Sequence, residues 1–141
     1  MKKITGLTII IVCGLILALC LAGCVQQRSD PETGLKNWVS AVNSHDYGQV
    51  YDLAPQEIRS QISRQDFIAA QNGNPFVAPG NIIRSYQVVN KTQIGDNAEL
   101  TAGLTLYVPG SANATPGNVF IFLKFLEVFE DGEWKVWTTQ P

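Results

Sequence analysis

The C-terminal part of the chain places the strongest limit on its fold. The apolar run Val119–Glu130 is followed by the dipeptide Asp131-Gly132 and then by a second strand-like run, Glu133–Thr139. An Asp-Gly pair between two such runs is a strong signal for a two-residue hairpin turn. Such a turn requires a positive φ angle at both of its residues, and Asp and Gly accept that angle more readily than most residues. The sequence therefore predicts a long antiparallel hairpin at the end of the chain.

Two further strands are predicted before this hairpin. In residues 100–108, Leu, Ala and Val alternate with Thr, Gly and Tyr, and this period of two is typical of a strand with one buried face. The segment Ile82–Ile94 is also rich in strand-forming residues, and Gly95-Asp96-Asn97 predicts a turn between the two. Pro- and Gly-containing loops at Asn74–Asn81 and Pro109–Asn118 flank this pair, so four antiparallel strands are expected.

The predicted hairpin also sets a register. With Asp131-Gly132 as the turn, Phe129 lies opposite Trp134 and Glu127 lies opposite Val136. The face that carries Glu127 is expected to face the core, and its other members are Ile121, Leu123, Phe125, Phe129, Trp134 and Val136. The opposite face has its own apolar residues and consists of Phe122, Lys124, Leu126, Val128, Lys135 and Trp137.

Helical signals fill the region before the strands. Asp30 is the expected N-cap of a first helix, with Pro31 at its first position, and apolar residues recur at the spacing of one helix face: Leu35, Trp38, Val39 and Val42. Asn43-Ser44-His45 is expected to end this helix. Two later pairs resemble helix caps, Asp46 with Gln49 and Ser63 with Asp66, and Asn72-Gly73 is expected to end the last helix.

Helices followed by strands predict an α+β domain, in which N-terminal helices pack on a curved four-stranded antiparallel sheet. A cystatin-like single helix on a sheet is the alternative. Trp38, Asp46-Tyr47, Leu53 and the final segment Asp131-Gly132-Glu133-Trp134-Lys135-Val136 together resemble the cone-shaped fold of nuclear transport factor two and ketosteroid isomerase. The resemblance covers residues 32–139. It implies a cone that can hold a pocket, and an outer sheet face that often forms a dimer.

The N-terminus carries a separate signal. Lys2 and Lys3 precede the apolar stretch Ile4–Leu21, and Leu21-Ala22-Gly23-Cys24 resembles the lipobox of prokaryotic lipoproteins. The resemblance implies that residues 1–23 are a cleaved signal peptide and that Cys24 carries lipid. Residues 24–31 would then form a tether, and residues 32–141 a domain on the extracytoplasmic side of the cell membrane, or of an outer membrane where there are two. An uncleaved membrane helix is the alternative, since the apolar stretch is long enough to span a bilayer.

Charge and cysteine content exclude several functions. Without Lys2 and Lys3, 8 basic residues remain against 12 acidic ones, a net charge of −4, so no nucleic-acid partner is expected. The cysteines are Cys13, Cys20 and Cys24, which leaves no thiol in the domain for disulfides, zinc or nucleophilic catalysis. With one histidine and no spaced cluster of acids, no metal and no cofactor are predicted. The sequons at Asn90 and Asn113 are expected to matter only in an organism that glycosylates its surface proteins.

Two residues are the candidates for catalysis. Glu127 stands on the predicted core face, where burial would raise its pKa and suit it to act as a general base; a bulge or a position at the open rim is the structural alternative. His45 is the only histidine, and a solvated turn residue is the alternative for it. Relatives of ketosteroid isomerase line the cone with an acid that acts as base, a tyrosine and a protonated acid. Tyr86 and Tyr107 lie on strands, but no residue here matches that set, which argues against catalysis.

The sequence therefore favours a membrane-anchored lipoprotein whose domain binds or interacts without catalysis. The membrane is one expected partner, through lipid on Cys24. A small apolar ligand could occupy a pocket lined by aromatic residues, of which the candidates are Trp38, Tyr47, Tyr51, Phe67, Phe120, Phe122, Phe125, Phe129, Trp134 and Trp137. The remaining apolar sheet face predicts a homodimer or an envelope-protein contact. An isomerase or dehydratase and a structural component of the envelope are the alternative functions.

Overall fold

The computed structural model describes residues 28–71, 74, 78, 80–110 and 115–139. Within these residues, four helices precede four strands: α1 (Glu32–Asn43), α2 (Tyr47–Asp52), α3 (Gln56–Arg59), α4 (Arg64–Gln71), β1 (Ile82–Ile94), β2 (Asn97–Val108), β3 (Gly117–Glu130) and β4 (Glu133–Thr139). The strands form one antiparallel sheet in the order β1-β2-β3-β4. The predicted α+β class with a four-stranded antiparallel sheet is therefore confirmed. Cys24, the proposed signal, Asn72-Gly73 and Asn113 lie outside the described residues.

The β3–β4 hairpin has the predicted turn and register. Asp131 and Gly132 have φ angles of 54° and 86°, as a turn with two left-handed residues requires. Phe129 pairs with Trp134 and their rings meet edge to face at 5.3 Å, while Glu127 pairs with Val136. Local turn chemistry therefore sets the register of both strands. Lys135 and Trp137, which were expected on the opposite face, nevertheless contact the helical region, because it covers the edge of β4: Lys135 is buried, and the ring centroid of Trp137 lies 6.4 Å from that of Phe67.

The core lies between α1 and one face of the sheet. Of the alternating residues of β2, Leu100, Ala102, Leu104 and Leu106 are buried as predicted and Val108 is partly buried. The four apolar residues of α1 are also buried. Trp38 of α1 packs edge to face on Phe125 of β3, with ring centroids 5.2 Å apart, a favourable geometry for aromatic pairs. The largest fully buried side chains are Trp134, Phe125, Leu35, Leu100, Leu104, Glu127 and Val136.

Helix α1 has a distinct cap at each end. The Asp30 carboxylate accepts a hydrogen bond of 2.9 Å from the backbone N–H of Glu32, while Pro31 already has helical dihedral angles. At the other end, His45 has a φ of 57°, its N–H donates to Val42, and the N–H of Asp46 donates to Ala41. These two bonds form a Schellman motif, in which the left-handed residue is usually glycine.

The segment after α2 covers the outer edge of β4. The backbone N–H of Val136 donates to the carbonyl oxygen of Leu53 at 2.7 Å. The buried ammonium group of Lys135 donates to the carbonyl oxygen of Asp52 at 3.1 Å. Since an unpaired strand edge invites pairing with other chains, these bonds protect β4 as well as hold the helices.

At the opposite edge of the sheet, the side-chain amide of Asn43 holds β1. It donates to the carbonyl oxygen of Ile83 at 2.9 Å and accepts from the N–H of the same residue at 2.8 Å. The two bonds satisfy backbone groups where the β1–β2 register shifts, between Ile83 and Ser85. The helical region is therefore fixed to both edge strands.

None of the helices in the described part of the chain is long and apolar enough to cross a membrane.

Candidate functional site

A pocket of about 120 Å³ lies between α1, α4 and the C-terminal end of β4. Its walls are mainly apolar and come from five elements (α1, α2, α4, β3 and β4) and the loop after α4. The described residues that line it are Trp38, Val42, Val50, Phe67, Gln71, Asn74, Leu123, Val136, Trp137 and Thr138. Pockets with apolar walls and a few polar groups are the usual sites for small ligands.

Aromatic contacts position the outer wall of this pocket. Phe67 of α4 lies between Tyr51 of α2 and Trp137 of β4, with ring centroids at 5.6 Å and 6.4 Å. The hydroxyl oxygen of Tyr51 lies 3.0 Å from the carbonyl oxygens of Arg59 and Ile62, which links α2 to the segment that leads into α4. These contacts hold α4 against the strand that closes the pocket.

Helix α4 begins as its sequence predicts. The hydroxyl of Ser63 accepts a hydrogen bond from the N–H of Asp66 and donates to its carboxylate at 2.6 Å. This cap places Phe67 on the buried side of the helix and Gln71, one turn later, beside the pocket.

The polar groups of the pocket are uncharged. Gln71 and Thr138 contribute an amide and a hydroxyl, and Asn74 donates a hydrogen bond of 3.1 Å to Gln71. Among the described residues that line the pocket, none is charged. A neutral ligand fits such a lining better than an ion, because burying an unpaired charge is strongly unfavourable.

Glu127 lies elsewhere in the core, beneath the first turn of α1. Its side chain is 1% exposed. A Cβ added to Gly34 would lie 2.8 Å from its Oε2, so the absence of a side chain there makes room for the carboxyl group. Neither oxygen has a hydrogen-bond partner of normal geometry in the described part of the chain.

These surroundings favour the neutral form of the carboxyl group. Burial is the main cause and raises the pKa of Glu127 from 4.5 to about 8. The backbone N–H of Leu35 acts in the opposite direction, while the nearby carboxylates of Asp30 and Glu32 raise the pKa further. Glu127 therefore carries a proton at neutral pH.

The buried carboxyl group does not line the pocket, although it adjoins one of the pocket walls. Leu123 lines the pocket, and Phe125 lies between Leu123 and Glu127 on the same face of β3. Phe125 is fully buried against Trp38, so its ring fills this position. Val136, which lines the pocket, is the cross-strand partner of Glu127, so Phe125 alone does not divide the two.

His45 is not brought to Glu127 or to the pocket. It follows the C-terminal end of α1, whereas Gly34, which contacts Glu127, lies 11 residues earlier, about 16 Å along the helix axis. The Nδ1 of His45 lies 3.2 Å from the carbonyl oxygen of Asn43. Its observed contacts are those of a helix-ending residue, with its ring 6.2 Å from that of Tyr47.

The strand tyrosines are also separated. Tyr86 pairs with Leu104 and packs against the core, whereas Tyr107 lies on the opposite face with Arg84 4.2 Å from its ring centroid. No group of three or more metal-ligating side chains occurs among the residues that the structure describes.

The outer face of the sheet carries an exposed aromatic pair. Phe120 and Phe122 are 61% and 58% exposed, and their rings meet edge to face at 5.0 Å. Both rings lie over Gly103 of β2, where an added Cβ would come within 2.6 Å of Phe120. Beside the pair, Lys124 and Glu99 form an ion pair at 2.9 Å.

The ten aromatic residues that the sequence offers as one candidate set lie on separate surfaces of the molecule. Trp38, Phe67 and Trp137 line the pocket, whereas Phe120 and Phe122 lie outside on the sheet. The polar pocket residues Gln71 and Thr138 were not predicted, since each is an ordinary polar residue at the end of its element. The helical spacing of Phe67 and Gln71, four residues apart, is the one signal that could have placed both on one side of α4.

No model of a known protein family matches the chain, and no curated protein is significantly similar to it in sequence.

Proposed function

We propose that the protein is a lipid-anchored, extracytoplasmic domain that binds a small neutral molecule without transforming it. The observation that carries the binding proposal is the apolar pocket between α1, α4 and β4, with its uncharged polar groups. The proposed anchor is lipid on Cys24, supported by the lipobox-like segment Leu21-Ala22-Gly23-Cys24. The resemblance to the cone-shaped superfamily of nuclear transport factor two supports the same proposal, because folds of that type can hold a pocket under their helices.

The size of the pocket limits the ligand. A buried apolar cavity of about 150 Å³ holds benzene. A volume of about 120 Å³ therefore suits a group the size of a single six-membered ring, or a short branched chain. Gln71 and Thr138 offer polar groups for one hydroxyl or carbonyl group on such a ligand. The proposed class is a neutral compound, or the end of a longer one, with one ring and one hydrogen-bonding group.

The binding experiment uses 4-fluorophenol as the probe and fluorine NMR as the readout. We expect the signal to broaden and shift on addition of protein, with a dissociation constant on the order of 1 mM, which is about −4 kcal/mol. In the variant Val50→Phe, the larger side chain would fill the pocket and remove binding. Val89→Phe is the matched control, since Val89 is exposed on β1 and outside the pocket lining.

Retention of binding in Val50→Phe, or absence of binding to the unchanged protein, would contradict the pocket as the ligand site. Circular dichroism of both variants separates loss of the pocket from loss of the fold.

The anchor is tested separately by intact mass. The membrane fraction of cells that express the full chain should contain a protein that begins at residue 24 and is heavier than its polypeptide by the mass of two or three acyl chains. Cys24→Ser should remove the added mass. An unmodified, uncleaved chain would favour the membrane-helix alternative.

A protein contact through the outer sheet face is a second candidate, and the exposed pair Phe120 and Phe122 favours it. The partner in this proposal is a second copy or an envelope protein. Sedimentation velocity of the soluble domain should show a dimer that Phe122→Ser weakens at least tenfold, while Val89→Ser leaves it unchanged. A monomer at every concentration would exclude the dimer.

A further inference from the structure

The first described residues are tied to one end of the sheet. The Arg28 guanidinium forms an ion pair with Asp96 at 2.7 Å and donates to the carbonyl oxygen of Gly95 at 3.1 Å. It also lies 5.8 Å from the ring centroid of Phe129. Both hairpin turns are at this end, since the N–H of Phe129 donates to the carbonyl oxygen of Asp96. We call it the hairpin end, and define it by residues 94–97 and 130–133.

Two more contacts hold the chain as it approaches α1. The indole N–H of Trp134 donates to the carbonyl oxygen of Ser29 at 2.6 Å. The ammonium group of Lys91 pairs with the carboxylates of Asp30 and Glu32 at 3.0 Å and 2.8 Å. Residues 28–30 are therefore part of the folded domain, so a flexible tether would begin before Arg28.

The same end carries the most exposed large apolar side chain of the described residues. Ile94, the last residue of β1, is 77% exposed. With Leu126 it borders a shallow groove on the outer face of the sheet. Transfer of a large apolar side chain from water into an apolar phase is favourable, so an exposed Ile94 would lower its free energy by entering one.

We propose that the hairpin end faces the lipid bilayer and that Ile94 contacts it. This inference rests on the lipid anchor at Cys24 proposed above. Three residues separate Cys24 from Arg28, so their Cα atoms can be no more than about 14 Å apart. Lipid on Cys24 would hold that residue at the bilayer surface, and the contacts of Arg28 and Ser29 bring the hairpin end close to the same surface.

The ionic groups at this end suit a neutral lipid surface. Arg28 offsets Asp96, and Lys91 offsets one of the two carboxylates that it contacts. At the second turn, Lys135 pairs with Glu133, while Glu130 and Asp131 add further acidic charge. The charge left over is acidic, so anionic headgroups would not attract it. The contact is therefore expected to be apolar and to persist at high salt.

The experiment uses the full lipidated protein in phosphatidylcholine vesicles that contain nitroxide-labelled lipid. Single fluorophores are attached in Ile94→Cys, in Thr101→Cys on the outer face, and in Asn118→Cys. Asn118 pairs with Tyr107, and Ile94 pairs with Asn97. Since Tyr107 and Asn97 are ten residues apart on β2, positions 118 and 94 lie about 34 Å apart along the sheet. We expect at least threefold stronger quenching at position 94 than at position 118, and little quenching at position 101.

Equal quenching at positions 94 and 118 would overturn the proposed orientation. Stronger quenching at position 101 than at position 94 would also overturn it, because the domain would then lie on its outer face. Flotation of the vesicles is read first: a protein that does not float with them refutes the anchor rather than the orientation. Inserting ten Gly and Ser residues before Arg28 should reduce the ratio of quenching at positions 94 and 118 towards one, and an unchanged ratio would refute the short-tether argument.

Discussion

The buried carboxyl group of Glu127 predicts a protein that loses stability as the pH rises from acid to weakly alkaline values. The carboxyl group is 1% exposed and has no hydrogen-bond partner of normal geometry in the described part of the chain. Burial raises its pKa from 4.5 to about 8. The perturbation that tests this is Glu127→Gln, which keeps the shape of the side chain and removes its ability to ionise.

The direction in which the free energy of unfolding changes with pH follows from the number of protons that each state binds. Between pH 4.5 and about 8, the folded state keeps a proton on Glu127 that the unfolded state has released, so each increase in pH favours unfolding. The stability is fully present below pH 4.5 and is lost as the pH rises through about 8. A tenfold change in proton affinity corresponds to about 1.4 kcal/mol, so the total loss is at most about 5 kcal/mol, of which about 3 kcal/mol has occurred by pH 7.

Glu127→Gln removes this pH dependence, so the variant should be the less stable protein at low pH and the more stable one at high pH. Its amide has two donors where the protonated carboxyl group has one, and an unsatisfied buried donor costs about 1–3 kcal/mol. We therefore expect Glu127→Gln to be less stable than the unchanged protein by about 1 kcal/mol at pH 4.5, and more stable by about 2–4 kcal/mol at pH 8.5. The two stability curves should cross between about pH 5 and 6.

The assay is urea unfolding, followed by tryptophan fluorescence at pH 4.5, 7 and 8.5. Glu99→Gln is the control, since Glu99 lies on the outer face, is substantially exposed and is paired with Lys124. The free energy of unfolding of Glu99→Gln, plotted against pH, should run parallel to that of the unchanged protein. Parallel curves for Glu127→Gln, or an unchanged protein that gains stability as the pH rises, would refute the reasoning.

Three other substitutions test the contacts around α1 by the same unfolding measurement. Gly34→Ala should destabilise by about 1–3 kcal/mol although alanine favours helices, because the new Cβ would lie 2.8 Å from Glu127 Oε2; a gain would mean that the core relaxes freely. His45→Gly should stabilise by about 0.5–1 kcal/mol, since glycine adopts a φ of 57° without strain, and a loss would assign the imidazole a role beyond its turn. Asn43→Leu should destabilise by about 2–3 kcal/mol because it leaves both backbone groups of Ile83 without the amide, and no change would show that water replaces it.

The sheet could be read from the sequence because local chemistry determines it. Asp131-Gly132 fixes the turn, the turn fixes the register, and the period of two then assigns the side chains of β3 to its two faces. On β4 the period of two is not sufficient, since the consecutive residues Val136, Trp137 and Thr138 all line the pocket. Local chemistry also determines the helix starts at Asp46 and Ser63, whose side chains accept bonds from N–H groups three residues later. In each case, the interacting groups are close in the sequence.

The parts that could not be read depend on contacts between distant segments. The amide of Asn43 binds Ile83, 40 residues later, and nothing near Asn43 distinguishes it from a helix-breaking residue. Gly34 looks like an unfavourable residue inside a helix until Glu127 is placed beneath it. Among the aromatic residues, only the packing of α4 on β4 selects Phe67 and Trp137 as a pocket wall.

The separation between Glu127 and the pocket gives a last prediction, which distinguishes binding from catalysis. If the pocket and the carboxyl group act together, as in an isomerase or dehydratase, removing the carboxyl group should alter ligand binding as well as stability. Glu127 does not line the pocket and adjoins it only through its cross-strand partner Val136, so Glu127→Gln should leave the dissociation constant of 4-fluorophenol within about twofold, or 0.4 kcal/mol, at pH 7. Val50→Phe should remove binding and keep the pH dependence of unfolding. A tenfold change in affinity in Glu127→Gln would show that the carboxyl group communicates with the pocket, and catalysis by Glu127 would then become the better hypothesis.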